Sequence, residues 1–90
     1  MPKYVIEREI PGAGDATEEE LVQAATESNA VLADLGASIQ WVESFVTDDK
    51  IYCVYVADDE DVIHEHARCV DVPASRVSHV RAMNGPDNGR

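Results

Sequence analysis

Two cysteines, one phenylalanine and one tryptophan are all that the 90-residue sequence holds of those residue types, and their scarcity narrows the field. There is no CxxC and no Cys/His spacing of the zinc kind, so a structural zinc site is excluded. No secretion signal accompanies Cys53 and Cys69, and both are expected as reduced thiols. No apolar run approaches the ~20 residues of a bilayer span, and Met1-Pro2-Lys3-Tyr4 opens no apolar stretch with a small-residue cleavage site. A cytoplasmic protein is expected. Nothing matches G-x-S-x-G or a glycine-rich phosphate loop, and Gly12-x-Gly14 is too short to count as one. Basic residues are scarce as well: seven stand against eighteen acids, for a formal net charge of -11. That field repels nucleic-acid phosphates and anionic lipid heads, which argues against nucleic-acid and membrane partners. It attracts cations, although acidic surfaces more often serve solubility.

What is present is 44% hydrophobic residues, mostly Val, Ile, Leu and Ala. A chain this short buries only roughly 60–65% of its unfolded surface, so burial supplied by a second copy would matter. Tyr4, Ile6, Arg8 and Ile10 alternate with Val5, Glu7 and Glu9, the period of a strand with one more apolar side. Pro11-Gly12-Ala13-Gly14 ends it. Thr17 followed by Glu20 is a capping box, and Leu21, Ala24, Ala25, Ser28, Val31, Leu32 and Leu35 recur at helical spacing up to a stop at Gly36. Ile39 to Thr47 and Ile51 to Ala57 flank Asp48-Asp49-Lys50 as a hairpin. Asp58-Asp59-Glu60-Asp61 opens a second helix with Val62, Ile63, Ala67 and Val70 on its apolar side. Arg76 to Met83 is the last strand expected. The domain should span residues 1–83, with 84–90 as a tail.

The order β-α-β-β-α-β defines an α+β ferredoxin-like fold, an antiparallel sheet with both helices on one face. With Thr47 opposite Lys50, one face of the hairpin carries Val42, Ser44, Val46, Ile51, Cys53 and Tyr55. The other carries Trp41, Glu43, Phe45, Tyr52, Val54 and Val56. A half-solvated sheet should be polar on one side, and this one is polar on neither. The simplest second cover is another copy of the same sheet, a homodimer of the dimeric α+β barrel type.

Four residues stand out as metal ligands. Glu43 falls between Trp41 and Phe45, where burial would raise a carboxyl pKa unless a cation or metal were near; the plainer reading is a sheet-edge acid reaching water. His66 shares a helical stripe with Val62 and Val70 and should lean toward the sheet, toward Glu43 or a tyrosine, as a ligand, an acid/base or simply a packed histidine. His64 points away from it, since two residues turn the helix by roughly 200°, and faces solvent with Glu60 one turn earlier. Glu7 lies beside Glu9 on one side of the first strand, roughly 7 Å apart, in an oxygen-rich site or in pairs with basic neighbours. His79 sits on an edge strand with no motif around it. Cys53 reads as an inert buried thiol.

The opening PKYVIEREIPGAG, the block QWVESFVTDDKIYCVYVADDE, Glu65-His66-Ala67-Arg68 and Pro73-Ala74 occur in an order and spacing that resemble the small nickel-responsive, nickel-binding ferredoxin-like proteins. The likeness covers residues 2 to about 83. It implies a homodimer of four- or five-stranded subunits that binds nickel at its surface for sequestration or tolerance, and it implies no enzymatic activity. Where those relatives tend to carry a basic turn with Gly and Phe, this chain has Cys69-Val70-Asp71-Val72. Nickel accepts imidazole nitrogen and carboxylate oxygen, which the histidines and acids supply, though copper would bind such donors more tightly. The alternative is a small-molecule enzyme or ligand-binding barrel, with Glu43, His66, Tyr52 or Tyr55 lining an inner pocket.

Overall fold

The structure is a computed structural model that describes residues 1–89. Arg90, the last residue of the expected tail, lies outside the described residues. Strand β1 is Lys3–Glu9, helix α1 Glu18–Leu35, strand β2 Ile39–Val46, strand β3 Lys50–Ala57, helix α2 Glu60–Cys69 and strand β4 Arg76–His79. The strands form one antiparallel sheet in the order β2-β3-β1-β4, the ferredoxin-like arrangement.

The two central strands set the core. Their register places Tyr4 opposite Tyr55, Ile6 opposite Cys53 and Arg8 opposite Ile51. Strand alternation sends these residues to one face, where Tyr4, Ile6, Cys53 and Tyr55 join Ile39, Ala57 and Ile63. Leu32 and Leu35 of α1 and Val62 of α2 pack onto that cluster. Helix α1 begins as the sequence predicts: Glu20 N–H donates to Thr17 Oγ1 at 3.1 Å, and Thr17 N–H donates to Glu20 Oε1 at 3.0 Å. Yet none of its eighteen residues is buried. Its C-terminal end sits on the core, while its N-terminal half stands off the sheet around a cleft.

Two expectations need correction. Strand β4 stops at His79 instead of Met83, with one further bond from Val80 N–H to Lys3 O at 2.8 Å. Pairing beyond that point would fall on Pro2 and Met1, and Pro2 has no N–H to offer. The second correction concerns Trp41. A β-bulge shifts the β2–β3 register between Trp41, which faces Tyr55, and Glu43, which faces Val54. The extra residue is Val42, so Trp41 moves to the helix-covered face and packs on the core, and its indole N–H donates to Ser44 Oγ at 2.9 Å. The open face keeps Glu43, Phe45, Tyr52 and Val54. Phe45 remains 52% exposed.

Two turns fasten the frame. After α2, Val72 N–H donates to Ala67 O and Asp71 N–H to Arg68 O, a Schellman closure in which Asp71 takes the left-handed conformation at φ 55°. After β1, the loop at Gly12–Gly14 docks on the hairpin turn through Gly14 N–H to Asp48 O and Gly12 N–H to Asp49 Oδ1, each at 3.0 Å. A Cβ on Gly14 would come within 2.9 Å of Asp48 Cα, and backbone cannot swing aside as a side chain can. Gly14→Ala is therefore expected to lower stability by about 1–3 kcal/mol, read as a lower urea midpoint with an unchanged slope. An unchanged midpoint would mean that this contact is slack.

Candidate functional site

The four candidate ligands divide between two faces and a helix exterior. His66 is 1% exposed on the sheet side of α2. Its ring lies 5.3 Å from that of Tyr55, and its Nε2 is 3.0 Å from Ser28 Oγ of α1. It thus meets a tyrosine, as its stripe suggested, and not Glu43, which stands on the opposite face of the sheet beside Ser44. An inner pocket combining Glu43 and Tyr52 with His66 and Tyr55 cannot form within one chain, because the sheet itself separates the pairs.

Glu7 projects from the open face at the centre of a small charge network. Lys50 Nζ lies 3.5 Å from one of its carboxylate oxygens and Arg76 Nε 3.9 Å from the other. These are partly exposed pairs, and they orient the carboxylate more than they stabilise the fold. Glu43 is exposed. His64 occupies the outer side of α2, where its Nε2 lies 3.1 Å from Glu60 Oε2 with both side chains about half exposed. Among the described residues no group of three or more His, Cys, Asp or Glu side chains comes together as a metal cluster.

The interior holds a constellation that the sequence reading passed over. Arg8 is 3% exposed. Its Nη1 donates to Pro73 O at 2.8 Å and its Nε to Cys53 Sγ at 3.4 Å, with the Tyr55 hydroxyl beside it. Ser44 Oγ donates to the same sulfur at 3.0 Å, completing a chain from the Trp41 indole to Cys53. The signal was available: Arg8 shares the parity of Tyr4 and Ile6, so a strand that buries those two must bury the guanidinium.

Burial, with the Arg8 charge second, holds the His66 pKa below its ordinary value near 6.5. Burial and the neighbouring Cys53 push the Tyr55 hydroxyl above its usual 10.0. His66 is accordingly neutral in the fold at neutral pH, and its Nδ1 is buried with no hydrogen-bond partner among the described residues.

The class these features define is a ferredoxin-like α+β protein with an acidic exterior. Residues 4–80 match the family described as nickel responsive protein SCO4226-like, and the chain belongs to that family. The crystal structure of SCO4226 from Streptomyces coelicolor A3(2) superposes with a TM-score of 0.76, covering 91% of this chain and 99% of that one at 15% identity. At that identity the likeness speaks for the fold. No curated protein matches the sequence.

The histidine gives a pH prediction. Because its folded pKa is depressed, His66 contributes stability that is fully present above the ordinary value near 6.5 and is lost as pH falls through the lowered folded value. Urea unfolding from pH 7.5 down to pH 5 should show the wild type losing stability, and His66→Gln losing measurably less of it. Parallel pH profiles for the two proteins would show that this ring contributes nothing to the acid sensitivity.

Proposed function

We propose that the protein is a non-catalytic, cytoplasmic nickel-binding homodimer that serves nickel sequestration or tolerance. Membership of the nickel-responsive family supports the metal. The observation that carries the reading is the 3.1 Å separation of His64 Nε2 and Glu60 Oε2. Taking bond lengths of about 2.1 Å, by analogy with zinc, two donors at a right angle around one ion lie about 3.0 Å apart. The pair is already at the spacing of a chelate, one turn apart on α2, with imidazole nitrogen and carboxylate oxygen as the donors that nickel accepts. Two donors do not complete a shell, so water or a second chain fills the remainder.

The second chain is suggested by the open face of the sheet. Val5, Tyr52, Val54 and Phe45 form an apolar strip on it, flanked by Glu43 and by the Glu7 network. Covering that strip with its own copy adds the burial that a thin core lacks. Glu43 and Glu7 then lie at the edges of the interface, where carboxylates from two chains can share an ion. His66, held by Ser28 and Tyr55 in the interior, is the member of the four candidates farthest from this role.

Calorimetric titration of untagged, metal-free protein with nickel should show binding tighter than millimolar, weakened about tenfold or more by His64→Ala. Absence of such binding sinks the nickel reading, and equal affinity in the variant moves the site away from α2. Sedimentation at micromolar concentration should give a dimer for the wild type and a monomer for Phe45→Glu. A monomeric wild type would remove the sheet-to-sheet assembly.

A further inference from the structure

The cleft between α1 and the sheet encloses about 320 Å³, at the small end of the roughly 300–1,000 Å³ typical of ligand pockets. It opens because the N-terminal half of α1 stands away from β2 and β3. Leu21, Ala24, Trp41 and Ile51 give it an apolar lining, while Arg8, Tyr55, Ser28 and His66 contribute polar groups.

The charge on Arg8 is what this arrangement leaves unanswered. Arg8 is 3% exposed, its guanidinium donates to a sulfur and a backbone carbonyl, and a tyrosine hydroxyl lies beside it. The chain has eighteen acidic residues, and among the described residues none forms an ion pair with this buried cation. Desolvated charges are ordinarily paired, because an isolated one is costly to bury. The only acid among the lining residues, Glu27, is exposed and accepts a hydrogen bond from Gln23 Nε2 at 3.0 Å. A second lining residue is also short of a partner, since His66 Nδ1 is buried and unbonded.

We propose that this cleft binds a small amphipathic organic anion, its apolar body between α1 and the sheet and its carboxylate paired with Arg8. The site is separate from the nickel chelate, which lies on the outer side of α2. The strongly negative exterior slows the approach of any anion but does not cancel a guanidinium at contact distance, where local pairing outweighs screened surface charge. The ligand is therefore one whose apolar part holds it in the cleft and whose head is read at short range.

Trp41 lies in the cleft wall and is the only tryptophan, so its emission reports occupancy directly. Octanoate should shift that emission saturably, with a dissociation constant of about a millimolar or tighter. Octanol and octylamine, with the same apolar body, should bind about tenfold or more weakly, the loss expected when a hydrogen bond to a charged group goes unmade. Ala24→Phe fills the cleft from α1 and should abolish the octanoate response. Arg8→Gln should level the three affinities; if that variant does not fold, the comparison of head groups on the wild type decides alone. Equal binding of octanol and octanoate overturns the proposal, as does octanoate binding that survives Ala24→Phe. It is also overturned if ultraviolet absorbance of a Cys69→Ser variant shows Cys53 as a thiolate at neutral pH, since Arg8 would then already have its anion.

Discussion

The pairing of β1 with β3 is the constraint on which the rest of the structure depends. Both strands are central, and their register stacks Tyr4 on Tyr55 and Ile6 on Cys53 beneath the helices. Strand parity allows no exceptions within a regular ladder, so the residue two beyond Ile6 enters the same interior whatever its charge. That residue is Arg8. A one-residue slip would free the guanidinium but would turn every large core residue of β1 toward the open face. The apolar gain of Tyr4 and Ile6 outweighs the burden of one desolvated cation, and the fold accommodates the charge with a sulfur, a hydroxyl and the Pro73 carbonyl.

The contrast between β1 and β2 shows how much of this was legible in the sequence. The capping box at Thr17 and Glu20, the hairpin about Asp48-Asp49 and the i, i+4 contact of His64 with Glu60 all follow from fixed local geometry, and each has its counterpart in the structure. The bulge at Val42 does not follow from composition, since a Val in a β-rich run carries no mark of being the unpaired residue. It moves Trp41 across the sheet and removes one of the two aromatic neighbours that made Glu43 look enclosed, leaving Phe45 beside it. The end of β4 was obscured for another reason: Val80 to Met83 could continue a strand, but their partner in β1 runs out at Lys3 and Pro2. For the candidate ligands, the sequence gives the side of each element on which a residue lies, but not whether those sides converge.

The open face and the helix-covered face therefore do different work. On the open face Glu7, Lys50 and Arg76 hold one another beside an apolar strip that faces solvent in the single chain. On the covered face the polar groups are few, desolvated and grouped around Arg8 and His66. A functional reading that placed both sets in one pocket would need the sheet to be absent. The separation leaves carboxylates and one imidazole exposed to solvent, and keeps the interior polar groups among apolar walls.

Helix α1 links these observations to stability. Eighteen residues long and without a buried member, it is held by its cap, by Leu32 and Leu35 on the core and by the Ser28–His66 contact, while Leu21 and Val22 remain exposed. A helix seated on only part of its apolar stripe contributes less than its length would suggest, because most helical stability in proteins comes from packing that stripe. Its N-terminal half is thus the element whose docking is least determined by the rest of the fold. Closure onto the sheet would seal in Arg8, already 3% exposed, without giving it a counter-ion, so apolar burial pulls the helix inward while the unpaired charge resists. An anion with an apolar body relieves both terms together. The same feature that leaves the core incomplete is then what makes the cleft selective, since a neutral filler satisfies only the first term.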